Sequence, residues 1–460
     1  MTKTLKCISP IDGSVFAERP VLSRAEADGV VAKARAAQAG WAARPLAERI
    51  RLVLDGVAAV GAMNDEVVPE LAHMMGRPVR YGGEFRGFNE RASHMAEIAE
   101  DALAPIAVGE DATFKRYIKR VPHGVVFVVA PWNYPYMTAI NTVAPALIAG
   151  NTVILKHATQ TLLVGERMAR AFQSVGVPED VFQNVFLDHD TTTDLIGAGA
   201  FDFVNFTGSV GGGQAMERAA AGTFTGLGLE LGGKDPGYVM EDADLDAAVE
   251  TLIDAAMFNT GQCCCGIERI YVVEPLFDAF VEKAVALVKG YKLGNPLDPE
   301  TTLGPMASPR FAAEVRAQIA GAVQAGATAH IPTMAEDDGA AYLTPQILTG
   351  VTHDMSVMRD ESFGPVVGIM PVKDDAEAIA LMNDSDYGLT ASLWTADVAR
   401  AERVGDRIET GTVFLNRADY LDPGLCWTGC KNTGRGGGLS VIGYHNLTRP
   451  KSYHLKKVTG

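Results

Sequence analysis

Residues 125–135 have the sequence VVFVVAPWNYP, in which six apolar residues run without a break into a turn rich in proline and aromatic residues. An uninterrupted apolar run is typical of a strand buried on both faces, as in a parallel sheet that helices cover on each side. Val125 to Ala130 therefore predicts an inner strand of an α/β fold, and the turn that ends it begins at Pro131.

Extended and helical patterns alternate around this strand. Residues 24–39 and 47–61 carry apolar residues at three- and four-residue spacing, which predicts two amphipathic helices covering a sheet. A second buried strand is predicted at 152–155 and a third at about 201–206. The alternation predicts a wound α/β architecture with parallel sheets. Lys156 directly follows the second strand, so it should lie at the carboxyl end, where open parallel sheets bind ligands.

Length and composition set the broad class of the protein. A chain of 460 residues predicts two or three domains. The formal net charge of -16 argues against a nucleic-acid partner, because phosphates would need a basic face. No apolar run reaches the 18 to 20 residues of a membrane helix, and the start of the chain has no apolar signal region, so we expect no membrane association and a cytoplasmic protein. The six cysteines do not form a disulfide framework and fit a reducing compartment.

A glycine-rich turn, TGSVGGG at residues 207–213, follows the third strand. A helix beginning near Gln214 should come next, so this segment is a candidate phosphate-binding turn. Gly208 and Gly213 have the four-residue gap of a P-loop, but Gln214-Ala215 replaces the required Lys-Ser/Thr, and the Rossmann glycine spacing is also absent. The glycines could equally serve only to permit a tight turn. The turn alone leaves both interpretations open.

Three consecutive cysteines, Cys263, Cys264 and Cys265, form the second unusual feature. Zinc ligation usually needs Cys or His pairs separated by two to four residues, and no C-x-x-C or H-E-x-x-H motif accompanies these thiols. We therefore expect no metal site. Taken alone, the triplet is compatible with three packing residues, since free cysteine is among the most buried residue types. The alternative is covalent catalysis by a thiol that acts with the upstream carboxylate Glu230.

Seven motifs, taken together and in this order, resemble the NAD(P)-dependent aldehyde dehydrogenase superfamily. They are Pro131-Trp132-Asn133, Lys156, Phe206-Thr207-Gly208-Ser209, Glu230-Leu231-Gly232-Gly233-Lys234, Gly261-Gln262-Cys263-Cys264, Glu361-Ser362-Phe363-Gly364-Pro365 and Lys431-Asn432-Thr433-Gly434-Arg435-Gly436. The resemblance covers nearly the whole chain. It implies an aldehyde dehydrogenase-like α/β fold with a Rossmann-type dinucleotide-binding domain (1–105 and 123–231), an α/β catalytic domain (232–444) and a small β element for oligomerisation (106–122 and 445–460).

The resemblance also implies the catalytic residues. Cys264 matches the nucleophile, which would attack the aldehyde carbon, while Cys263 and Cys265 would point elsewhere as packing residues. The oxyanion of the resulting thiohemiacetal would be held by the Asn133 side chain and the Cys264 backbone N–H. Glu230 matches the base that activates water against the thioester, so a free carboxylic acid is expected rather than acyl transfer to coenzyme A. The helix predicted at 245–258 ends before the cysteine loop, so its N-terminus does not activate the thiol.

A third set of residues matches the family's cofactor site. These are Trp132, Lys156, Thr159, Gly208, Ser209, Gly213, Leu231, Glu361 and Phe363. Trp132 and Ser209 would lie near the pyrophosphate, Lys156 at the adenosine ribose, and Glu361 with Phe363 at the nicotinamide ribose. NAD-preferring members commonly carry glutamate where this chain has Thr159, and that carboxylate would repel a 2′-phosphate. We therefore expect NAD or NADP as cofactor, with NADP accepted and a preference for NADP open to test.

The last set of residues matches the family's substrate tunnel: Tyr134, Met137, Asn141, Phe258, Arg417, Asp419, Leu421 and Trp427. The aromatic members favour an apolar or aromatic aldehyde. Arg417 offers an alternative, since it could bind the carboxylate of a semialdehyde in a bidentate manner unless Asp419 neutralises it. A non-catalytic binding protein of the same fold is the rival from another class. The expected partners are a small aldehyde and further copies of this chain, as a homodimer or homotetramer.

Overall fold

The computed structural model describes residues 3–458, so the outermost two residues of the predicted ranges 1–105 and 445–460 lie outside the described part. The strands are β1 (Thr4–Ile8), β2 (Val15–Pro20), β3 (Ile106–Glu110), β4 (Phe114–Pro122), β5 (Val125–Ala130), β6 (Thr152–His157), β7 (Phe182–Asn184), β8 (Phe203–Thr207), β9 (Gly226–Glu230), β10 (Asp235–Val239), β11 (Ile267–Val273), β12 (Thr328–Ala329), β13 (Gln346–Thr349), β14 (Val366–Val372), β15 (Tyr387–Gly388), β16 (Thr390–Trp394), β17 (Thr412–Leu415), β18 (Cys430–Lys431), β19 (Gly434–Arg435) and β20 (Thr448–Lys456).

Helices fill most of the intervals between these strands. They are α1 (Arg24–Ala42), α2 (Leu46–Gly61), α3 (Asn64–Met75), α4 (Phe85–Glu97), α5 (Ala99–Ala102), α6 (Pro135–Ile148), α7 (Leu162–Ser174), α8 (His189–Gly197), α9 (Val210–Ala220), α10 (Leu245–Met257), α11 (Glu274–Lys289), α12 (Pro309–Gln324), α13 (Ser356–Arg359), α14 (Asp375–Asn383), α15 (Val398–Gly405) and α16 (Ser440–Asn446), with 3-10 turns at Val79–Tyr81, Thr159–Thr161 and Phe258–Gly261. In the described part of the chain, no helix combines the length and the apolar character that crossing a membrane requires.

The first large sheet has the strand order β19-β9-β8-β5-β6-β7, and β9, β8, β5, β6 and β7 run parallel. All six residues of β5 are buried. Val125, Phe127 and Val129 face a core that includes residues of α1, whereas Val126 and Val128 face a core built by α2, α6 and α7. Two apolar faces explain why the sequence of this strand does not alternate, and the prediction of a doubly covered strand is confirmed.

The predicted elements match the observed ones with two exceptions. Lys156 was predicted to follow the second strand, but β6 extends to His157 and includes it. The two helices predicted at 24–39 and 47–61 are α1 and α2. The helix after the glycine turn begins at Val210 and not near Gln214, so that prediction was wrong by four residues. The Ser209 hydroxyl accepts a hydrogen bond from the Gly212 N–H at 3.2 Å and caps the helix, a role to which serine is well suited.

The second large sheet has the order β12-β13-β14-β11-β10-β16-β17, parallel except for the β12–β13 pair. A separate sheet, β20-β4-β3, joins the C-terminal strand to the segment before β5, and β20 pairs with β4 along its whole length. Ile106, Val108 and Leu455 are exposed on this sheet. The division into domains and the oligomerising role of this sheet stay predictions.

Candidate active site

The carboxyl ends of the parallel strands β5, β6, β8 and β9 meet at one edge of the first sheet. Asn133 follows β5, Lys156 lies near the end of β6, Ser209 follows β8, and Glu230 is the last residue of β9. Thr207 and Glu230 are register partners on adjacent strands. The topology therefore brings polar groups that are far apart in sequence to the edge where open α/β sheets bind ligands.

The cysteine loop follows α10 and holds an unusual backbone. Asn259 and Thr260 have φ values of 55° and 58°, a left-handed conformation that is costly for a threonine. The buried Gln262 side chain secures this turn, since its nitrogen donates to the Asn259 carbonyl at 3.0 Å and its oxygen accepts from the Ala307 N–H at 2.7 Å. A fixed Gln262 sets the backbone from which Cys264 projects two residues later.

The Glu-Leu-Gly-Gly-Lys motif lies against this loop, and its glycines are needed for space. A Cβ atom on Gly233 would lie 2.3 Å from the Cys264 carbonyl oxygen, and one on Gly232 would lie 2.4 Å from a Glu361 carboxylate oxygen. The Gly233 N–H donates to Glu361 at 2.9 Å. Only glycine allows the two backbones to approach so closely. The motif therefore connects the nucleophile loop to the loop that carries Glu361.

The three thiols meet a carboxyl group from a distant loop. The Cys263 and Cys265 sulfurs lie 3.5 Å apart and donate to the Asp419 carboxyl oxygen at 3.2 and 2.9 Å. Both cysteines are buried, whereas Cys264 is partly exposed. The neighbouring thiols lower the pKa of the Cys264 thiol, because they stabilise its ionised form. The outer thiols, predicted to be packing residues that point elsewhere, are buried and held by Asp419.

The same cluster bears on the expectation that no metal is bound. Cys263, Cys265 and Asp419 offer three ligand atoms within 4.8 Å of one another. The spacing of the cysteines gave no reason to expect a set of metal ligands here. Asp419 lies more than 150 residues downstream, so the local spacing could not indicate it. Burial raises the pKa of Asp419 well above its ordinary value.

Glu230 has the environment of a base that works near neutral pH. Burial raises its pKa to about 7, while a hydrogen bond from the Thr207 hydroxyl, 3.3 Å from the carboxylate, and the charge of Arg91 oppose that shift. The residue lines a cavity together with Asn141 and Gly438. A carboxyl group with this pKa beside a cavity can accept a proton from water.

The Asn133 side chain makes no hydrogen bond with any residue in the range 3–458, although the residue is only 5% exposed. Its backbone is held firmly, because its carbonyl accepts from Arg77 at 2.6 Å and from the Asn259 side chain at 3.2 Å. The side-chain amide is thus a fixed donor that remains available to a ligand.

A buried ion pair that the sequence did not indicate holds this turn. Arg77 donates to Glu84 at 2.6 Å, and both side chains are almost fully buried. The other Glu84 oxygen accepts from the backbone N–H groups of Tyr136 and Met137, in the first turn of α6, at 2.9 and 2.7 Å. Arg77 and Glu84 therefore fix both the Asn133 backbone and the start of the helix that follows it.

The residues predicted to bind the cofactor are placed along the same edge. The Trp132 ring stacks on Phe311 with centroids 5.4 Å apart and meets Phe363 edge-on at 5.5 Å. Lys156 is buried, which lowers its pKa to about 8, and it has no hydrogen-bond or ion-pair partner in the described part of the chain. An unpartnered cation at a strand end fits a ribose or phosphate ligand.

Four further residues were predicted to bind the cofactor: Thr159, Gly208, Ser209 and Gly213. Thr159 begins the 3-10 turn after β6, and Ser209 is exposed at the N-terminus of α9. A Cβ atom on Gly213 would lie 2.6 Å from the Leu231 side chain, and one on Gly208 would lie 2.7 Å from the Phe206 ring. These glycines thus have a packing role in addition to forming the turn.

Several residues predicted to line the substrate pocket pack against the same apolar cluster as Cys264. Tyr134, Met137, Leu421 and Cys264 pack against the apolar cluster that contains Trp427. Asp419 contacts the outer thiols as described above. Phe258 packs on Tyr81 with ring centroids 4.7 Å apart.

Arg417 differs from this group. It is exposed, and its guanidinium lies 3.5 Å from the centroid of the Tyr420 ring. It forms no ion pair with Asp419 among the described residues, so Asp419 does not neutralise it. The structure therefore does not place Arg417 with the buried pocket residues.

A second arginine, Arg91 on α4, was missed by the sequence analysis. It is 7% exposed and donates to the Met137 carbonyl at 3.0 Å and to the Asn141 side-chain oxygen at 3.4 Å. Its charge interacts with Glu230 and with Cys264. No sequence pattern marks it: Gly87, one helical turn earlier, packs on the predicted pocket residue Met137, but that contact is visible only in the structure.

Comparison with known proteins agrees with this geometry. Residues 1–453 match the model of the aldehyde dehydrogenase family. A 2-hydroxymuconic semialdehyde dehydrogenase of Pseudomonas putida is 36% identical, covering 95% of this chain and 93% of that protein, and an NADP(+) succinate-semialdehyde dehydrogenase of Deinococcus radiodurans is 32% identical, covering 96% and 93%. An indole-3-acetaldehyde dehydrogenase solved with NAD+ superposes with a TM-score of 0.94 at 29% identity, covering 99% of this chain and 94% of that one. The chain therefore belongs to the aldehyde dehydrogenase family and is an aldehyde-oxidising enzyme.

Proposed function

We propose that this enzyme oxidises an aldehyde to the free carboxylic acid with NAD or NADP, through a thioester on Cys264 that water hydrolyses. The proposal is supported by two residues at strand ends of the first sheet: Glu230, with a pKa of about 7, and Asn133, whose side-chain amide has no partner among residues 3–458. The loop that carries the partly exposed Cys264 thiol, whose pKa is lowered, contacts both of their motifs. A nucleophile, an oxyanion donor and a base are what acyl transfer through a thiol requires.

The protein residues act in two stages. The Cys264 thiolate attacks the aldehyde carbon, and the Asn133 amide stabilises the oxyanion of the thiohemiacetal. The bound dinucleotide supplies the two-electron acceptor that takes up the hydride. In the second stage Glu230 takes a proton from water, the resulting hydroxide attacks the thioester carbonyl, and the C–S bond breaks to release the acid and the Cys264 thiolate. The aldehyde is oxidised by two electrons, and water supplies the oxygen.

Either dinucleotide fits the residues at the proposed ribose site. Lys156 is a free cation, and Thr159 contributes no negative charge to repel a 2′-phosphate. The charge of Asp188 also acts on Lys156, but that carboxylate pairs with Lys3 at 2.8 Å. Among the relatives, one printed name gives NADP(+) and one solved structure contains NAD+. We therefore propose that both are accepted.

The test is aldehyde-dependent reduction of each dinucleotide, followed by absorbance, with the acid product identified by mass spectrometry. The matched control is Cys264→Ala beside Cys426→Ala, since Cys426 is a second partly exposed thiol outside the triplet. Loss of turnover in the first variant alone supports the proposal. Turnover by Cys264→Ala, or accumulation of a stable acyl-enzyme in place of free acid, would contradict it.

Assembly and location are finer proposals. We propose a homodimer or homotetramer formed through the β20-β4-β3 sheet, because Ile106, Val108 and Leu455 expose more than 40% of their surface there. Light scattering of the wild type and of a Val108→Lys variant tests this. We also place the protein in the cytoplasm, in keeping with six cysteines that are all unbridged.

A further inference from the structure

Arg91 is a buried cation whose hydrogen-bonding capacity is mostly unused. Both of its bonds, to the Met137 carbonyl and to the Asn141 side chain, come from the same Nη1 atom. Its Nε and Nη2 groups donate to no atom of residues 3–458. A guanidinium normally satisfies its five N–H donors when it is buried, frequently with a carboxylate.

The acidic groups around Arg91 do not form hydrogen bonds with it among the described residues. Glu84 is the first of the acidic groups that act on it, but both Glu84 oxygens are occupied by Arg77 and by the start of α6. Glu230 has a pKa of about 7 and is only partly ionised near neutral pH. Cys264 and Cys265 also act on Arg91, but no carboxylate or thiol of residues 3–458 accepts a hydrogen bond from its guanidinium. A buried charge without a partner is costly, so a binding site for an anion is indicated.

An orphaned amide lies beside the guanidinium. The Asn141 side chain is 2% exposed, and its nitrogen is a buried donor without a partner among the described residues. Asn141 also lines the cavity that Glu230 lines. Unused donors are therefore found on Arg91 and on Asn141, which contacts it, and a carboxylate has the acceptor atoms to satisfy both.

We propose that Arg91 and Asn141 bind a carboxylate on the substrate, so that the preferred substrate is a semialdehyde whose aldehyde reaches Cys264. This inference rests on the proposed aldehyde oxidation. The apolar side chains of Tyr134, Met137 and Leu421 pack against the same apolar cluster as Cys264 and suit the carbon chain between the two ends. Arg417, which the sequence suggested for this task, is exposed and stacked on Tyr420.

A structural role for Arg91 makes a different prediction. The bond to the Met137 carbonyl joins α4 to α6, and its loss would disturb the active site for every aldehyde alike. A role limited to the charge of Glu230 would likewise act on all substrates and would shift the pH profile. Only carboxylate binding discriminates between two substrates that differ in a terminal carboxylate.

The experiment compares succinate semialdehyde with butanal, which has the same chain length without the carboxylate, in the wild type and in Arg91→Met. We expect the wild type to prefer the semialdehyde and Arg91→Met to lose about 100-fold in kcat/KM for it, with less than about fivefold loss for butanal. Arg91→Lys should recover part of the loss. Arg417→Met is the matched control and should leave the ratio unchanged.

A measurement on the wild type alone guards against a variant that fails to fold. Glutarate should inhibit competitively against the semialdehyde, while butyramide at the same concentration should not. Equal losses for both aldehydes in folded Arg91→Met, or no preference and no glutarate inhibition in the wild type, would overturn the carboxylate site. If neither aldehyde reduces NAD or NADP while longer aldehydes do, the carboxylate site is again overturned; if no aldehyde is oxidised at all, the proposed function itself is wrong.

Discussion

Replacing Glu84 by glutamine removes one negative charge and replaces one acceptor oxygen by an NH2 group. Glu84 helps to hold the turn that carries Asn133. One Glu84 oxygen accepts from Arg77, and the other accepts from the N–H groups of Tyr136 and Met137. The glutamine NH2 group must face either Arg77 or the two backbone N–H groups. In either orientation a donor then faces a donor, and an attractive contact becomes repulsive. Breaking a buried ion pair by removing one partner typically costs about 3–5 kcal/mol, and we expect a loss of that size in the apparent free energy of unfolding.

The same substitution should reduce activity, because Arg77 also donates to the Asn133 carbonyl. A displacement of about 1 Å in a positioning group commonly costs about 100-fold in rate, so kcat/KM should fall by about that factor. Urea denaturation followed by fluorescence measures the stability, and steady-state kinetics measures the rate. Asp55→Asn, which breaks the exposed Arg51–Asp55 pair, is the control and should cost less than about 1 kcal/mol. If Glu84→Gln is as stable and as active as that control, the positioning role is refuted.

Three further predictions concern the chemistry. Asn133→Ala should lower kcat by about 100- to 1,000-fold through loss of an oxyanion donor, with dinucleotide affinity unchanged by fluorescence titration; a change confined to that affinity would contradict the assignment. Glu230→Gln should give a burst of about one reduced dinucleotide per active site and then almost no turnover, and it should remove the rise in deacylation rate that the wild type shows as pH increases through about 7, where the carboxyl becomes the basic carboxylate. Stopped-flow absorbance over a pH series tests this, and steady turnover without a burst would exclude the base role. Thr159→Glu should reduce kcat/KM for NADP at least about tenfold while NAD is little affected, because a carboxylate repels the 2′-phosphate; equal effects on both dinucleotides would place Thr159 away from that group.

The sequence predicts the elements whose signal is local. Val125 to Ala130 is a strand with two apolar faces, and this is visible in the uninterrupted run itself. Asn133 and Glu230, predicted as amide donor and base, lie at strand ends of one sheet, whereas the predicted nucleophile Cys264 lies in the loop before β11. Their roles stay predictions. The start of α9 was misplaced because the cap at Ser209 was interpreted only as part of a glycine turn.

The contacts that were not predicted join residues far apart in the chain. Arg77 and Asn133 are 56 residues apart, and Cys265 and Asp419 are 154 apart. The periodicity of the sequence does not indicate which arginine will be buried. Arg417 was predicted from its neighbours in sequence, but Arg91 is the arginine that is buried in the fold. Such choices depend on how helices pack against one another, which composition and spacing do not encode.

The close approach of Gly233 to the Cys264 carbonyl limits how this enzyme can be re-engineered. Main-chain atoms of the two loops contact each other there, so a side chain added at Gly233 would displace the Cys264 backbone. The side of the predicted substrate pocket that α4 and α6 form consists of side chains, which can be exchanged without moving the backbone. Directed evolution toward new aldehydes should therefore accumulate its changes on those two helices and leave both glycine-bearing motifs untouched.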